Sequence, residues 1–435
     1  MTNSSSFLQD KEASREVRPP GEPAEDLRPS DREREDVRVT RTTAWSDLES
    51  LESDWDAILW ENSDLKPFSS KEWLSSWWSA FGNDRPLLAL AFHSNHRLLG
   101  LAPFYFDTRR LFGINHPKIL RLVGAGTYDS DDLCFVLRRQ TEERCLELLL
   151  LELSQRNDWD VCSLETLPMQ SRVAVLLPKM LDQIGWPYKT TFSPNWCVKL
   201  PPTWEEYLHR LAPDFRPLLS RYPKRLDSRY TCTLSRCESE KDLLRYLPIL
   251  FDLHQRRWTG VGHAGAFSSH ERRHFYRRIA SSLLARGWLD FWILHLNQTP
   301  VALQFCCRYK DSVYLLQEGF DPAYAKDKVG YALRSKVLQH YIKAGMKHYD
   351  FMGGSDAYKE RFDAERGSYL TVRFAKPRSF GSLYMVASDT KQKCRSWLRE
   401  RLPEHWTNRI RAWKGLGRGK PPDRREAVKR PAADQ

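Results

Sequence analysis

Between residues 317 and 361 the chain gathers groups able to move protons and to hold anions. Asp350 stands inside the run His-Tyr-Asp-Phe-Met (348–352), which Gly353 and Gly354 follow before Tyr358 and Lys359. The run reads as a strand, so Asp350 points opposite to Tyr349 and Phe351. Two readings of it stand: an acid or base in a cleft, or a buried cap for the glycine turn. Tyr358 is a proton donor and Lys359 an anion or carbonyl partner if they reach that cleft; at a surface helix start they are neither. Upstream, Lys326, Asp327, Lys328, Val329, Gly330 and Tyr331 open a helical pattern. The first N–H groups of a helix and the positive end of its dipole receive phosphate oxygens, and a glycine lets a ligand approach the backbone. A lone glycine there is a cap in most proteins, so its neighbours must decide.

The elements that would position these groups follow from periodicity. Residues 301–307 and 312–316 form two apolar runs joined by a short polar link, a buried hairpin. After Gly319 comes a polar loop, then a helix with Leu333, Val337, Leu338, Tyr341 and Ile342 on one face and Gly345 at its end. Earlier in the chain, 46–60 has the spacing of one amphipathic helix with Ser46 as its N-cap. A second helix over 70–81 buries Trp73, Trp77 and Trp78 as core. Residues 87–92 and 98–106 make another hairpin, whose Gly100 and Pro103 mark an edge strand or a bulge. Strands over 118–124 and 133–136 flank an acidic turn with Asp129, Asp131 and Asp132, open to readings as turn chemistry or as a metal site. Helix 141–156, strand 159–164, helix 171–184 and a strand near 195–200 complete a first unit. Pro201-Pro202 closes it, and Thr203 with Glu206 starts the next helix as a capping box. The basic helix 216–226 has two readings, an anion contact or a solvated face. The segment 250–258, a helix over 270–286 and a strand over 289–296 lead back to the hairpin.

Composition bounds the answer. A chain of 435 residues suits two domains with tails, and a hydrophobic share of 41% fills real cores. The net charge is +12, but residues 391–435 hold 14 Lys/Arg against 5 Asp/Glu, so the body carries only +3. The basic signal therefore belongs to the tail and gives no specific nucleic-acid partner. Nine cysteines without metal-like spacing argue for a reducing compartment and no metal. No apolar run is long enough to span a membrane, so a cytoplasmic protein is expected. Residues 1–40 and 419–435 read as disordered tails. Over 381–418, Trp397, Leu402, Trp406, Ile410 and Trp413 sit near helical spacing among basic residues, with Pro403 interrupting the pattern; two readings stand, a helix lying on an anionic membrane or one packed back on the domain.

The order Gly319-Phe320-Asp321, Gly330, Asp350-Phe351-Met352-Gly353-Gly354 and Tyr358-Lys359 resembles the core of the GNAT acyltransferase superfamily. It is most similar to the CelD-type branch linked to cellulose and exopolysaccharide biosynthesis, which is related to the FemAB peptidyltransferases. His254, Arg257, Trp258, Phe267 and Phe275 follow that branch's order as well, and the likeness spans about 45–375. It implies an α/β fold with a mixed sheet and two tandem GNAT-like domains, a degenerate one over 41–200 and an acyltransferase domain over 201–380. In such a fold two strands splay, an acyl thioester lies between them, and its pyrophosphate meets a helix N-terminus. Gln317, Gly319, Lys326, Lys328, Val329, Gly330 and Tyr331 would then bind acetyl-CoA or another acyl-CoA. The chain departs from the superfamily at Asp327, where Arg or Gln is usual. Asp350, Tyr358, Lys359 and His254 are the catalytic candidates, with Glu318 and Asp321 as further carboxylates. Arg257, Trp258, Phe267, Asp129 and Asp132 are the substrate-binding candidates. No Ser-His-Asp order or Cys nucleophile stands out, so direct transfer is expected, without a covalent intermediate. The expected reaction is N- or O-acetylation of a sugar or cell-envelope precursor. The alternatives that the resemblance leaves are an aminoacyl-tRNA donor, as in the FemAB relatives, or a non-catalytic scaffold in exopolysaccharide synthesis, contacting a polysaccharide synthase through the basic tail.

Overall fold

The computed structural model describes residues 37–108, 117–127, 129–260, 265–354 and 357–388. The expectations for the N-terminal tail up to residue 36 and for the basic tail from 389 onward lie outside these residues. Strand β1 (Arg38–Thr42) already begins inside the stretch read as tail. Two helices, α1 (Ser46–Glu49) and α2 (Glu52–Glu61), replace the single helix read from 46–60. The break lies at Leu51, whose ψ of 3° leaves the helical range, and Ser46 is the first helical residue, with Trp45 in the cap position. Helix α3 (Lys71–Phe81) matches the helix read over 70–81, and Ser70 caps it: its hydroxyl accepts the Trp73 N–H, a cap worth about 1 kcal/mol.

The first unit continues with β2 (Leu87–Ser94), β3 (Arg97–Asp107), β4 (Ile119–Leu122), β5 (Val136–Leu137), α4 (Glu142–Gln155), β6 (Val161–Pro168), α5 (Arg172–Gln183) and β7 (Tyr188–Lys199). The β3 strand is interior, paired with β2, β4 and β5, so the edge reading of Gly100 and Pro103 is corrected. A Cβ on Gly100 would lie 3.2 Å from the Val136 carbonyl oxygen, so this glycine is what admits β5. The bulge reading stands, because the β2–β3 register shifts at Phe92/His93, beside Gly100.

The second unit holds α6 (Trp204–Arg210), α7 (Arg216–Arg229), β8 (Cys232–Arg236), α8 (Glu240–Gly260), α9 (His270–Ala285), β9 (Leu289–Leu296), β10 (Thr299–Tyr309), β11 (Ser312–Phe320), α10 (Val329–Lys343), β12 (His348–Gly353) and β13 (Glu365–Phe374). The β10–β11 hairpin, the helix after it and its end at Gly345, with φ +74°, fall where the sequence puts them.

One mixed sheet joins both units in the order β1-β2-β3-β4-β6-β13-β7-β12-β11-β10-β9-β8, with β5 beside β3. This order is a palindrome of two five-strand halves about a centre of β13 and β7. The centre is exchanged: β13 pairs with β6 of the first unit, and β7 with β12 of the second. Cores form on both faces of the sheet. One takes the α2, α3, α8 and α9 side chains, among them the fully buried Trp55, Trp73 and Trp77; the other takes α7 and α10. The indole N–H groups of Trp73 and Trp77 donate to Ser130 Oγ at 2.8 Å and Thr127 Oγ1 at 3.0 Å, so these core residues also anchor the acidic turn.

Candidate functional site

The sheet contains two parallel pairs at palindromic places, and both are short. Strands β4 and β6 pair over three positions, Ile119 to Arg121, and β11 and β12 over three, Ser312 to Tyr314. Past Tyr314 and its partner Asp350 the β11–β12 ladder stops. There β11 also carries an extra residue, Leu316, because Phe305 pairs with Gln317 and Cys306 with Leu315. A bulge bends its strand, and here it turns β11 away from β12. A cavity of about 590 Å³ opens at this parting, lined by Leu315, Leu316, Gln317, Phe351 and Gly353 from the second unit and by Asp131, Glu165 and Thr166 from the first. Strand edges without a ladder partner can pair with an extended amide-bearing ligand, and their N–H groups can polarise a carbonyl.

The glycine turn on its rim is held from four sides. Asp350 Oδ1 accepts the Met352 N–H at 2.6 Å, and Asp131 Oδ2 accepts the Gly353 N–H at 2.8 Å. Lys359 is buried, and its ammonium donates to the carbonyls of Phe351, Met352 and Gly353 at 3.2, 3.4 and 2.7 Å. The Trp196 indole donates to the Gly354 carbonyl at 2.9 Å. Met352 adopts φ +64°, a left-handed backbone that these bonds sustain. Asp350 thus takes up the capping position, while its side chain lines a second, smaller cavity.

Gln317 lines the main cavity and donates to the Tyr276 hydroxyl at 3.1 Å. Asp129 is buried against Arg272, with Nε at 3.0 Å. Burial pushes its carboxyl up against the pull of the guanidinium. Asp131, which the sequence reading leaves without a role, lines this cavity, whereas Asp132 lines the second one. Asp132 has a left-handed backbone, φ 49°, and it is there that the two neighbours part to different cavities; no local pattern in the sequence marks Asp131.

Glu318 points away from Gln317 into a buried network. It accepts from Arg334, from Gln304 Nε2 at 3.4 Å and from Arg257 at 3.5 Å. Burial alone would raise its carboxyl, but Arg334 and Arg257 hold it below the usual range. The Arg334 guanidinium lies over the rings of Phe351, Tyr358 and Phe362 at 5.1, 5.3 and 4.9 Å, so Tyr358 belongs to this stack.

His254, Arg257, Trp258, Phe267 and Gly319 come together on the α8 side of β11. His254 is buried, its Nε2 accepts the Trp258 indole N–H at 3.0 Å, and its ring meets Phe267 at 5.0 Å. Burial and the nearby Arg257 push its imidazole down to about 4, so it is neutral at physiological pH. None of these five lines either cavity described here.

Helix α10 begins just beyond β11. Lys328 caps it in the left-handed region at φ 58°, and no described side chain bonds its first N–H groups. Lys326 and Lys328 are exposed, and Tyr331 stacks on Phe362. Asp327 faces α7, where Arg229 and Arg225 donate to it at 3.1 and 3.3 Å and the Tyr230 hydroxyl at 3.2 Å. The carboxylate that departs from the expected loop is thereby neutralised. It also fixes the basic α7, whose Arg221, Lys224 and Arg225 line a shallow surface depression.

Residues 213–360 match the Acetyltransferase (GNAT) domain family. No curated protein matches the chain. Among solved structures, the crystal structure of FemX is similar at a TM-score of 0.53 and 10% identity, covering 77% of this chain and 96% of that one. A tandem GNAT protein from the clavulanic acid biosynthesis pathway aligns at 0.42 and 11%, covering 78% and 98%. The C-terminal domain of a putative lysylphosphatidylglycerol synthetase from Agrobacterium fabrum aligns at 0.46 and 11%, covering 78% and 96%. The chain has a GNAT-domain acyltransferase fold.

Proposed function

We propose that this GNAT-fold chain transfers an acyl group, most simply acetyl from acetyl-CoA, to an amine or hydroxyl of a sugar-containing envelope or exopolysaccharide precursor. The observation that carries the reading is the three-position β11–β12 ladder that stops at Tyr314 and Asp350 and opens into the main cavity, with the uncapped start of α10 next along the chain. The donor's amide-bearing arm would pair with the parted strand edges. Its pyrophosphate would accept from the N–H groups of Val329, Gly330 and Tyr331, with Lys326 and Lys328 beside them. The acceptor nitrogen or oxygen attacks the thioester carbonyl carbon, the C–S bond breaks, and the proton lost by the acceptor balances the one taken up by the leaving thiolate. Asp131, on the main cavity wall, supports acceptor binding from the first unit.

Titrating the purified chain with acetyl-CoA, beside a Gly330→Trp variant, tests this reading. Micromolar binding that the variant abolishes is the expected result. No binding of any acyl-CoA to the wild type would remove it. A second reading, an aminoacyl-tRNA donor, is favoured by the exposed depression lined by Arg221, Lys224 and Arg225 on α7, next to the same helix start. Charged tRNA that competes with acetyl-CoA, or binds in its place, would select it.

A further inference from the structure

The second cavity, of about 330 Å³, opens on the opposite face of the parted strands. Tyr314 and Asp350 line it, whereas Leu315 and Phe351, next on the same strands, line the main cavity. Three carboxylates line it, and two of them, Asp132 and Asp350 from distant parts of the chain, are buried; Asp64 is less so and accepts the Arg172 N–H at 3.1 Å. Asp132 is 7% exposed and Asp350 8%. Among the described residues no hydrogen bond or ion pair reaches the Asp132 carboxylate, and Asp350 is engaged through one oxygen, by the Met352 N–H. Lys66 is the one Lys or Arg among the lining residues; its charge pulls on both carboxylates, but its hydrogen bond goes to the Ser63 carbonyl at 3.4 Å. A carboxylate so buried costs several kcal/mol unless a donor or cation meets it. The lining supplies hydroxyl and amide groups at Ser171, Asn195 and Ser312 around that pair, and an aromatic ring at Tyr314. Among the described residues no group of three His, Cys, Asp or Glu is set to hold a metal ion, which favours an organic cation.

We propose that this cavity binds a small organic cation through a primary ammonium group seated between Asp132 and Asp350. Three N–H donors on one charged nitrogen match two carboxylates that have acceptor capacity to spare. The proposal needs only the cavity and its two carboxylates, and stands independently of which acyl donor the protein uses.

The test is calorimetric titration of the full chain at pH 8.5 with 1,4-diaminobutane and with the neutral 1,4-butanediol of the same length. The diamine should bind and the diol should not, and Asp132→Asn should weaken the diamine by about tenfold or more. Gln170 lies exposed on the rim, so Gln170→Trp blocks access without touching the core and should weaken binding as well. Diamine binding no tighter than that of the diol, or binding unchanged in Gln170→Trp, would overturn the proposal even if Asp132→Asn does not fold. Equal binding by a folded Asp132→Asn would do the same.

Discussion

Asp131 and Gly353 stand 222 positions apart in the chain, and a 2.8 Å hydrogen bond from the Gly353 N–H to Asp131 Oδ2 joins them. The bond ties the acidic turn of the first unit to the glycine turn of the second, on the wall of the cavity both units line. A Cβ on Gly353 would lie 3.0 Å from that same oxygen, so the glycine is what allows the approach. Burial pushes the Asp131 carboxyl up, and the Gly353 N–H pulls the other way.

Replacing Asp131 separates bonding from charge. Asp131→Ala leaves the Gly353 N–H without its acceptor and should cost about 1–3 kcal/mol in denaturant unfolding. Asp131→Asn keeps an acceptor oxygen and should recover most of that. If acyl transfer falls in both variants alike while stability recovers in Asn, the carboxylate charge acts on the acceptor. If transfer follows stability, Asp131 only holds the turn.

Arg334 gives the clearest stability prediction. It is 5% exposed, paired with Glu318 and surrounded by three aromatic rings. Arg334→Met leaves the half-buried Glu318, its side chain 23% exposed, with only Arg257 and Gln304 at 3.4–3.5 Å, and should cost somewhat less than the ~3–5 kcal/mol of a fully buried pair. The double variant Arg334→Met/Glu318→Met removes the orphaned charge and should be more stable than the single one. Urea unfolding of the two checks the order.

What the sequence makes legible is whatever its local pattern encodes. The Thr203 cap, the β10–β11 hairpin and the helix ending at Gly345 depend on residues a few positions apart, and all are found in the structure, whereas the cap read at Ser46 is not. Partners set by the fold are another matter. Strand β13 is not among the strands read from the sequence, and nothing local says that it lies between β6 and β7. Asp327 reads as a poor neighbour for phosphate until Arg225 and Arg229, about a hundred positions earlier, are seen to hold it. Asp350 reads equally as an acid or a cap, and its bond to Met352 together with its place on the second cavity shows why local pattern leaves both open.

Buried groups that shift in opposite senses make stability depend on pH, and Asp350 and His254 are two of them. Burial raises Asp350 to about 7, with Asp132 beside it raised as well, and lowers His254 to about 4. An unfolded carboxyl titrates near ~3.9, so the stability from protonated Asp350 is present below that and is lost as pH rises through about 7. Unfolded histidine titrates near ~6.5, so the neutral His254 costs stability as pH falls from there through about 4. Asp350→Asn cancels the first effect and keeps an oxygen for the Met352 N–H. The difference between its melting temperature and that of the wild type should be smallest at pH 4, grow in the variant's favour as pH rises through about 7, and reach a few degrees at pH 8. A gap between variant and wild type that does not change with pH would contradict the assignment.

Gly319 and Gly330, eleven positions apart, should answer alanine in opposite ways. At Gly319 a Cβ would meet backbone of α8, the His254 nitrogen at 3.0 Å and the Leu250 oxygen at 3.3 Å. Backbone cannot swing aside as a side chain does, so Gly319→Ala should cost about 1–3 kcal/mol through displaced packing. At Gly330 the nearest atom is a Phe320 ring carbon at 3.5 Å, an ordinary contact, and the residue lies in the first turn of α10. Alanine there should be neutral or stabilise by about 0.5–1 kcal/mol. Thermal unfolding of the two variants measures this part. The functional part runs the other way. If a donor phosphate rests on the first N–H groups of α10, the added methyl at 330 stands where the ligand must approach, so Gly330→Ala should bind acetyl-CoA more weakly while melting no lower than wild type. Gly319→Ala, once folded, should bind it with nearly unchanged affinity, since its glycine serves the α8 contact. Unchanged donor binding in a well-folded Gly330→Ala would mean that the helix start has room to spare, and the phosphate contact would then have to be sought at Lys326 and Lys328.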